Sequence, residues 1–252
     1  MKLAVLSDLH ANLHALQAVW ADVESCRPDL VYCLGDLVGY GAFPNEVIEF
    51  VAQHSVLTIL GNFDEAVGFD LDDCGCAYRD PAEARVGRQS LPWTRSQVSA
   101  VNKAFLRDLP LQRRIDQPPS RVLLVHGSPG RISEYLYEDR PQASFERLAR
   151  LGGADVVVFG HTHLPYWKKV GKTRFVNAGS VGRPRDGDPQ ACWAQVELGR
   201  SPRVEFRRIA YDTAAAGQAV REAWLSEDRP VELEWGGRGA TLAAHGSPGG
   251  TQ

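Results

Sequence analysis

Seven nitrogen- and oxygen-bearing residues recur at one kind of place in this chain. Asp8 and His10, Asp36, Asn62, His126, then His161 and His163 all follow directly on short apolar runs. Four of the seven histidines belong to this set, and only His14, His54 and His245 lie elsewhere. Taken singly, such residues have ordinary uses: Asp and Asn cap helices or fill turns, and one His satisfies itself at a strand edge. Taken jointly, they are a donor set suited to metal ions, provided the fold brings them together.

The elements that must do so are legible from periodicity. Lys2 to Ser7, Leu30 to Leu34, Val56 to Leu60, Arg121 to Val125 and Asp155 to Phe159 are short apolar runs ending in polar residues, as buried strands do. Helical spacing begins at Asn12 with Leu13, Leu16, Val19 and Trp20, runs again from about Pro44 to Gln53, and returns near Gln142 to Leu151. A loop follows at Gly61. Five strands joined largely by helical crossovers predict a mostly parallel sheet covered on its faces. In such a sheet the loops beyond the carboxyl ends of the strands converge on one crevice, and all seven candidates sit in those loops. Tyr166 to Val170 and Thr173 to Val176 flank Gly171-Lys172 as a hairpin. Ala191 to Leu198 with Val204 to Ile209 adds another antiparallel pair, so a second sheet packs on the first.

Residues 80–112 break this rhythm with helical spacing, clearest in Val98, Val101, Phe105 and Leu109, and read as a helical cap. The expected organisation is a main body at 1–210 with a helical insertion at about 74–120. A C-terminal helix and extension occupy 211–235, and a glycine-rich flexible tail 236–252. The insertion is basic: residues 79–116 hold eight Lys or Arg against four acidic side chains, in a chain of net charge −3. It is either a solvated face or a dock for a polyanionic substrate. With 44% hydrophobic and 23% charged residues in 252, disordered, collagen-like and coiled-coil classes fall away. The balance of 28 basic and 31 acidic residues argues against a stable nucleic-acid complex or a membrane partner. The first apolar run is too short for a signal peptide or a membrane span, so a cytoplasmic location is expected. Five cysteines, with Cys33 and Cys192 in apparent strands, argue against a disulfide framework. Cys74-Gly-Cys76 lacks the two-residue gap of a zinc or redox pair. No Walker loop, dinucleotide fingerprint or G-x-S-x-G elbow is present.

Asp8-x-His10, Gly35-Asp36, Gly61-Asn62-x-Asp64, His126-Gly127 and Gly160-His161-x-His163 follow one another as in the calcineurin-like metallophosphoesterases, which this chain resembles over roughly residues 2–209. Asn177-Ala178-Gly179-Ser180-Val181-Gly182, the loop Gly35 to Gly41 and the helical insert further resemble the small bacterial and archaeal phosphodiesterase branch. The resemblance implies an α/β fold, a four-layer α/β/β/α sandwich of two mixed sheets with a helical cap insertion. It also implies that Asp8, His10 and His163 hold one divalent metal ion, that Asn62, His126 and His161 hold a second, and that Asp36 bridges them. Cations sharing a ligand sit about 3.5–4 Å apart. Two carboxylates against two divalent ions leave about +2, which attracts phosphate. Four imidazoles favour Mn, Fe, Zn, Co or Ni over Mg, with Mn the expected assay metal.

The expected activity is phosphoester hydrolysis by a metal-bridging hydroxide, with Asp36, Asn62 and Asp64 in the catalytic set. Phosphodiesters or phosphoanhydrides lead as substrates, in a phosphorylated small molecule or nucleotide. Phosphomonoesters, including phosphoproteins, come second, and a non-catalytic scaffold is the alternative of another class. One departure bears on the choice. The family commonly has His at the third place of the Gly-Asn-His motif, where it donates a proton to the leaving group, and this chain has Phe63. A retromer subunit of the same fold also has Phe there and serves as a scaffold, but it has lost several ligands that are all present here. Asn12, Tyr40 and Arg183 are the candidate substrate contacts. Each has a plainer alternative: a helix cap for Asn12, stacking under the insert for Tyr40, and a surface salt bridge for Arg183 or Arg185.

Overall fold

The computed structural model describes residues 1–78 and 80–225. In chain order its elements begin with β1 (Lys2–Leu6), α1 (Leu13–Cys26), β2 (Leu30–Cys33), α2 (Pro44–Gln53), β3 (Leu57–Thr58) and α3 (Asn62–Gly68). Next come α4 (Pro81–Gln97), α5 (Ala100–Arg107), β4 (Gln112–Gln117), β5 (Ser120–Val125), α6 (Gln142–Gly152) and β6 (Val156–Phe159). The last are β7 (Tyr166–Val170), β8 (Thr173–Asn177), β9 (Ala191–Glu197), β10 (Arg203–Ile209) and α7 (Thr213–Leu225).

Two five-stranded sheets form, in the orders β10-β9-β1-β2-β3 and β4-β5-β6-β8-β7. β1, β2 and β3 run parallel, as do β5, β6 and β8. The remaining pairings are antiparallel. Strand alternation sorts the side chains into layers. In β1, Leu3 and Val5 face the second sheet, while Ala4 and Leu6 pack with α1 and α2. Across the inter-sheet core they meet Val122 and Leu124 of β5 and Val156 and Val158 of β6. The intervening Leu123, Val125, Val157 and Phe159 turn outward onto Phe145 and Leu148 of α6. The outcome is the α/β/β/α sandwich. Among the described residues no helix is long and apolar enough to cross a membrane.

Several expectations change. The five strands of the βα rhythm do not share one sheet: β1 to β3 lie in one and β5 and β6 in the other. α3 stands where a loop was expected, because seven residues are too few to display a helical period. The insertion is not wholly helical, since β4 pairs with β5 from Gln112 opposite Val125 to Gln117 opposite Ser120. Only Ile115 of β4 packs inward, so no apolar alternation announced that strand. Four of the eight basic side chains of the insertion serve as braces. Arg95 donates to Leu71 O (2.7 Å) and pairs with Asp72 (2.9 Å), and Lys103 pairs with Asp70. Arg107 donates to Gly68 O (2.7 Å) and Arg114 to Gly152 O (2.9 Å). Trp93 of α4 lies against Trp224 of α7 with ring centroids 5.4 Å apart. The expected tail at 236–252, and the extension beyond Leu225, lie outside the described residues.

Phe145 is fully buried and meets Phe175 edge-on at 5.1 Å, joining α6 to its sheet. Phe145→Ala should cost about 3–5 kcal/mol of unfolding free energy. Urea titration of the variant checks this, and a midpoint equal to that of wild type would contradict the layer assignment.

Candidate metal centre

The loops that carry the candidate ligands are strained. Asp8, His10, Asp36, His161 and His163 all adopt positive φ, between 47° and 66°. This left-handed backbone costs a non-glycine residue about 1–2 kcal/mol, so surrounding bonds must impose it. Asp8 N–H donates to Gly35 O (3.0 Å), His10 N–H to Asp36 O (2.9 Å) and Gly160 N–H to His126 O (2.8 Å). A Cβ on Gly35 would overlap the backbone of Gly61, so glycine at both positions lets the Asp36 and Asn62 loops touch. Asp64 clamps the same junction. Its Oδ1 accepts from the N–H groups of Leu37 (2.8 Å) and Val38 (3.3 Å), and its Oδ2 from Gly61 N–H (3.1 Å).

Two clusters of donor atoms result: Asp8, His10 and His163, and Asp36, His126 and His161. In the first, His163 Nε2 lies 3.4 Å and His10 Nε2 4.0 Å from Asp8 Oδ1. In the second, His126 Nε2 is 3.5 Å from Asp36 Oδ2 and 2.9 Å from Asn62 Oδ1. Asp36 Oδ2 also lies 3.8 Å from His10 Nε2, so one oxygen adjoins both clusters. All seven residues predicted as ligands are thus brought together.

The donor set fits metal ions on its own hydrogen bonding. His10 Nδ1 donates to Val38 O (3.0 Å) and His163 Nδ1 to Arg183 O (2.6 Å), because a carbonyl only accepts. Their Nε2 atoms therefore present lone pairs to one another, at 3.1 Å. His126 Nδ1 is likewise used on Leu34 O (2.8 Å), leaving its Nε2 among acceptors. The Asn62 amide is oriented by donation from Nδ2 to Cys74 O (2.9 Å) and Cys76 Sγ (3.2 Å), which aims its oxygen at His126. Asp8 Oδ1 and His161 Nε2 are buried with no hydrogen-bond partner among the described residues. Acceptors facing acceptors in a buried site require positive charge between them.

The electrostatics of His10 and His161 agree. Burial, then the neighbouring His163, pushes the His10 pKa down to about 4. Burial, then His126, pushes His161 down to about 3. Both are neutral near pH 7, the form that offers a lone pair to a metal. Burial opposes protonation of His126, but the Asp36 charge outweighs it and lifts that pKa to about 9. Burial likewise opposes ionisation of Asp8 and Asp36, yet His163 and His126 respectively outweigh it and hold both below the usual carboxylate range.

Several other predicted site residues have structural employment. Both Asp64 oxygens serve the backbone clamp, and burial, reinforced by the charge of Asp36, pushes its pKa up to about 7. Asn12 caps α1 by accepting from Ala15 N–H (3.1 Å), and its Nδ2 donates to Gly182 O (3.0 Å) and Tyr211 Oη (3.3 Å). Tyr40 is buried edge-on to His10 with centroids 4.8 Å apart, and its hydroxyl meets that of Tyr78 at 3.0 Å. Arg183 lies 4.4 Å from the Tyr40 ring centroid, and Arg185 pairs with Glu83. Phe63, 1% exposed, fills the space between Tyr40 and His10 at centroid distances of 4.8 and 5.6 Å. Cys74 and Cys76, whose one-residue gap argued against a redox pair, are joined as a disulfide beside Asn62.

Sequence reasoning missed the residues that steer the loops. Asn177 Nδ2 donates to Gly160 O (2.8 Å) and Thr162 Oγ1 (2.9 Å), bracing the His161 loop. Ser180 Oγ donates to Asp8 O (2.8 Å). Tyr135 lies against the His161 ring at 4.0 Å. The Asn177 loop was noted only as a motif, and nothing in the sequence singled out Tyr135.

A four-layer sandwich that gathers His, Asp and Asn donors beyond its strand ends fits a metallophosphoesterase. The calcineurin-like phosphoesterase superfamily domain matches residues 1–199, and the chain belongs to that superfamily of phosphoric ester hydrolases. It is 30% identical over 247 residues to the uncharacterized protein MJ0912 of Methanocaldococcus jannaschii, covering 89% of this chain and 96% of that one. It is 27% identical over 199 residues to the phosphodiesterase YfcE of Escherichia coli K12, covering 75% and 84%. The crystal structure of a metallophosphoesterase from Sphaerobacter thermophilus shares 31% identity and a TM-score of 0.72 over 88% of this chain and 94% of that one.

Asn12 braces the start of α1 and the Gly182 loop. Asn12→Ala should lower stability by about 1–2 kcal/mol through the lost cap and change KM less than about twofold, because a cap contributes no uniform substrate binding. A large rise in KM with unchanged stability would restore the contact.

Proposed function

We propose that this protein is a dinuclear metal-dependent hydrolase of phosphodiesters or phosphoanhydrides, acting on a phosphorylated small molecule or nucleotide. One observation carries the proposal: Asp36 Oδ2 lies 3.8 Å from His10 Nε2 and 3.5 Å from His126 Nε2, between the two donor clusters. Asp8, His10 and His163 would hold one ion, Asn62, His126 and His161 the other, and Asp36 both. Two such cations supply an activated water and a sink for the charge that develops on the phosphoryl oxygens. The chain does the rest by positioning. The backbone carbonyls of Val38, Leu34 and Arg183 fix three imidazole rings. The Phe63 N–H donates to Asp36 Oδ1 (2.8 Å), leaving Oδ2 to face the clusters.

The substrate preference follows from Phe63. Its ring lies beside His10, at the motif position where the family commonly has His, and it has no proton to give. The Tyr40 hydroxyl is engaged by Tyr78, and burial raises its pKa. Leaving groups that depart as stable anions are favoured accordingly. A phosphate leaves readily, since its second pKa is about 6, and an aryl oxide leaves more easily than an alkoxide.

Hydrolysis with added Mn checks the proposal. Asp36→Asn should cut the aryl phosphodiester rate by roughly 10²–10³. In wild type, rates should fall steeply from phosphoanhydride and aryl diester to alkyl ester. Phe63→His should raise the alkyl rates selectively, since a positioned acid contributes about 10²–10⁴. Full activity in Asp36→Asn, or an alkyl rate matching the aryl one in wild type, would sink it.

A further inference from the structure

The end of the sandwich opposite the metal centre holds a cleft of about 320 Å³. Its walls come from both sheets: the β4–β5 turn, the β7–β8 hairpin and the β9–β10 turn. Four cations line it, Lys169, Lys172, Arg174 and Arg200, against one carboxylate, Asp155. Asp155 is already engaged, since it accepts from the backbone N–H of Arg121 at 2.9 Å and from its Nε at 3.3 Å. The metal ligands follow the carboxyl ends of β5 and β6, whereas this cleft adjoins the beginnings of β5, β6 and β8. Spanning β5 places the two sites roughly 20 Å apart at about 3.3 Å per residue.

Arg174 is the cation that the fold holds in place. Arg174 stands opposite Lys169 in the β7–β8 pairing. Its backbone N–H donates to Asp155 O (2.9 Å), and its guanidinium lies 4.9 Å from the Trp167 ring centroid. Its Nε is buried with no hydrogen-bond partner. Ser120 Oγ donates to Gly199 O (2.9 Å), which ties the β4–β5 turn to the β9–β10 turn. Like charges gathered in a confined space repel unless an anion offsets them. Arg and Lys donors arranged around such a space match phosphoryl oxygens. The volume is at the lower end of the range for small-molecule sites and too confined for a nucleic-acid surface.

We propose that this cleft is a second anion site, taking a compact ligand that carries two or more adjacent phosphoryl charges. A diphosphate satisfies both the charge and the volume. It comes either as inorganic diphosphate or as the diphosphate of a nucleotide. The site is independent of the metal centre and of the substrate hydrolysed there.

Isothermal titration of the full chain in EDTA, which silences the metal centre, tests this with pyrophosphate, ADP and inorganic phosphate. One pyrophosphate per chain should bind, and inorganic phosphate should bind roughly tenfold more weakly or worse. ADP binding tighter than pyrophosphate assigns a nucleotide, and equal binding assigns the diphosphate alone. Lys172→Glu with Arg200→Glu should weaken pyrophosphate binding roughly tenfold or more while leaving Mn-dependent aryl diester hydrolysis unchanged. Lys172→Gln, a milder change at an exposed turn, should weaken it by a smaller factor. Absence of pyrophosphate binding, equal binding of inorganic phosphate, or undiminished binding by the double variant would overturn the proposal.

Discussion

Buried acceptors facing one another are the constraint on which this structure turns. His10 and His163 present Nε2 lone pairs at 3.1 Å, and Asp8 Oδ1 and His161 Nε2 have no partner. Among the described residues no hydrogen bond reaches Asp8 Oδ1 or His161 Nε2, and the Nδ1 atoms of His10, His126 and His163 are spent on carbonyls. A cluster of this kind is unfavourable in itself and becomes favourable only when cations occupy it. The fold therefore has to hold the site open against its own repulsion, and the surrounding structure is arranged to do so.

Two features of the sandwich meet that demand. Its two sheets end side by side, so ligands from the first half of the chain, Asp8 to Asn62, close on ligands from the second half, His126 to His163. Left-handed backbone at five of the seven ligands then turns their side chains inward. Hydrogen bonds from buried side chains that never touch the cluster stabilise the turns. Asp64 ties the Asp36 loop to the start of α3, Asn177 ties the His161 loop, and Ser180 ties the backbone at Asp8. Strain at the centre and satisfied bonds around it are two parts of one arrangement.

How much of this was legible in the sequence depends on whether a residue's role is set by its type or by its neighbours. All seven candidate ligands could be picked out because His, Asp and Asn directly after apolar strands are chemically conspicuous wherever the sheets fall. The strands were legible as apolar runs and hairpins, but the runs were assigned to one sheet, and the four-layer arrangement was implied by the family resemblance. The clamp made by Asp64 was not legible, because a carboxylate has the same letter whether it meets substrate or three backbone amides, whereas the cap that was the plainer role of Asn12 is formed. β4 was missed because a strand packing only Ile115 inward has no apolar period. The cationic cleft escaped because its residues come from separate turns, while a charge count along the chain pointed to 79–116, where Arg95, Lys103, Arg107 and Arg114 turned out to be structural.

The central claim is that one carboxylate, Asp36, joins two metal positions. Anomalous diffraction from crystals grown with Mn measures this directly. The account predicts two peaks about 3.5–4 Å apart, one beside Asp8, His10 and His163, the other beside Asn62, His126 and His161, with Asp36 Oδ2 between them. A single peak, or two peaks of which Asp36 contacts only one, would contradict it.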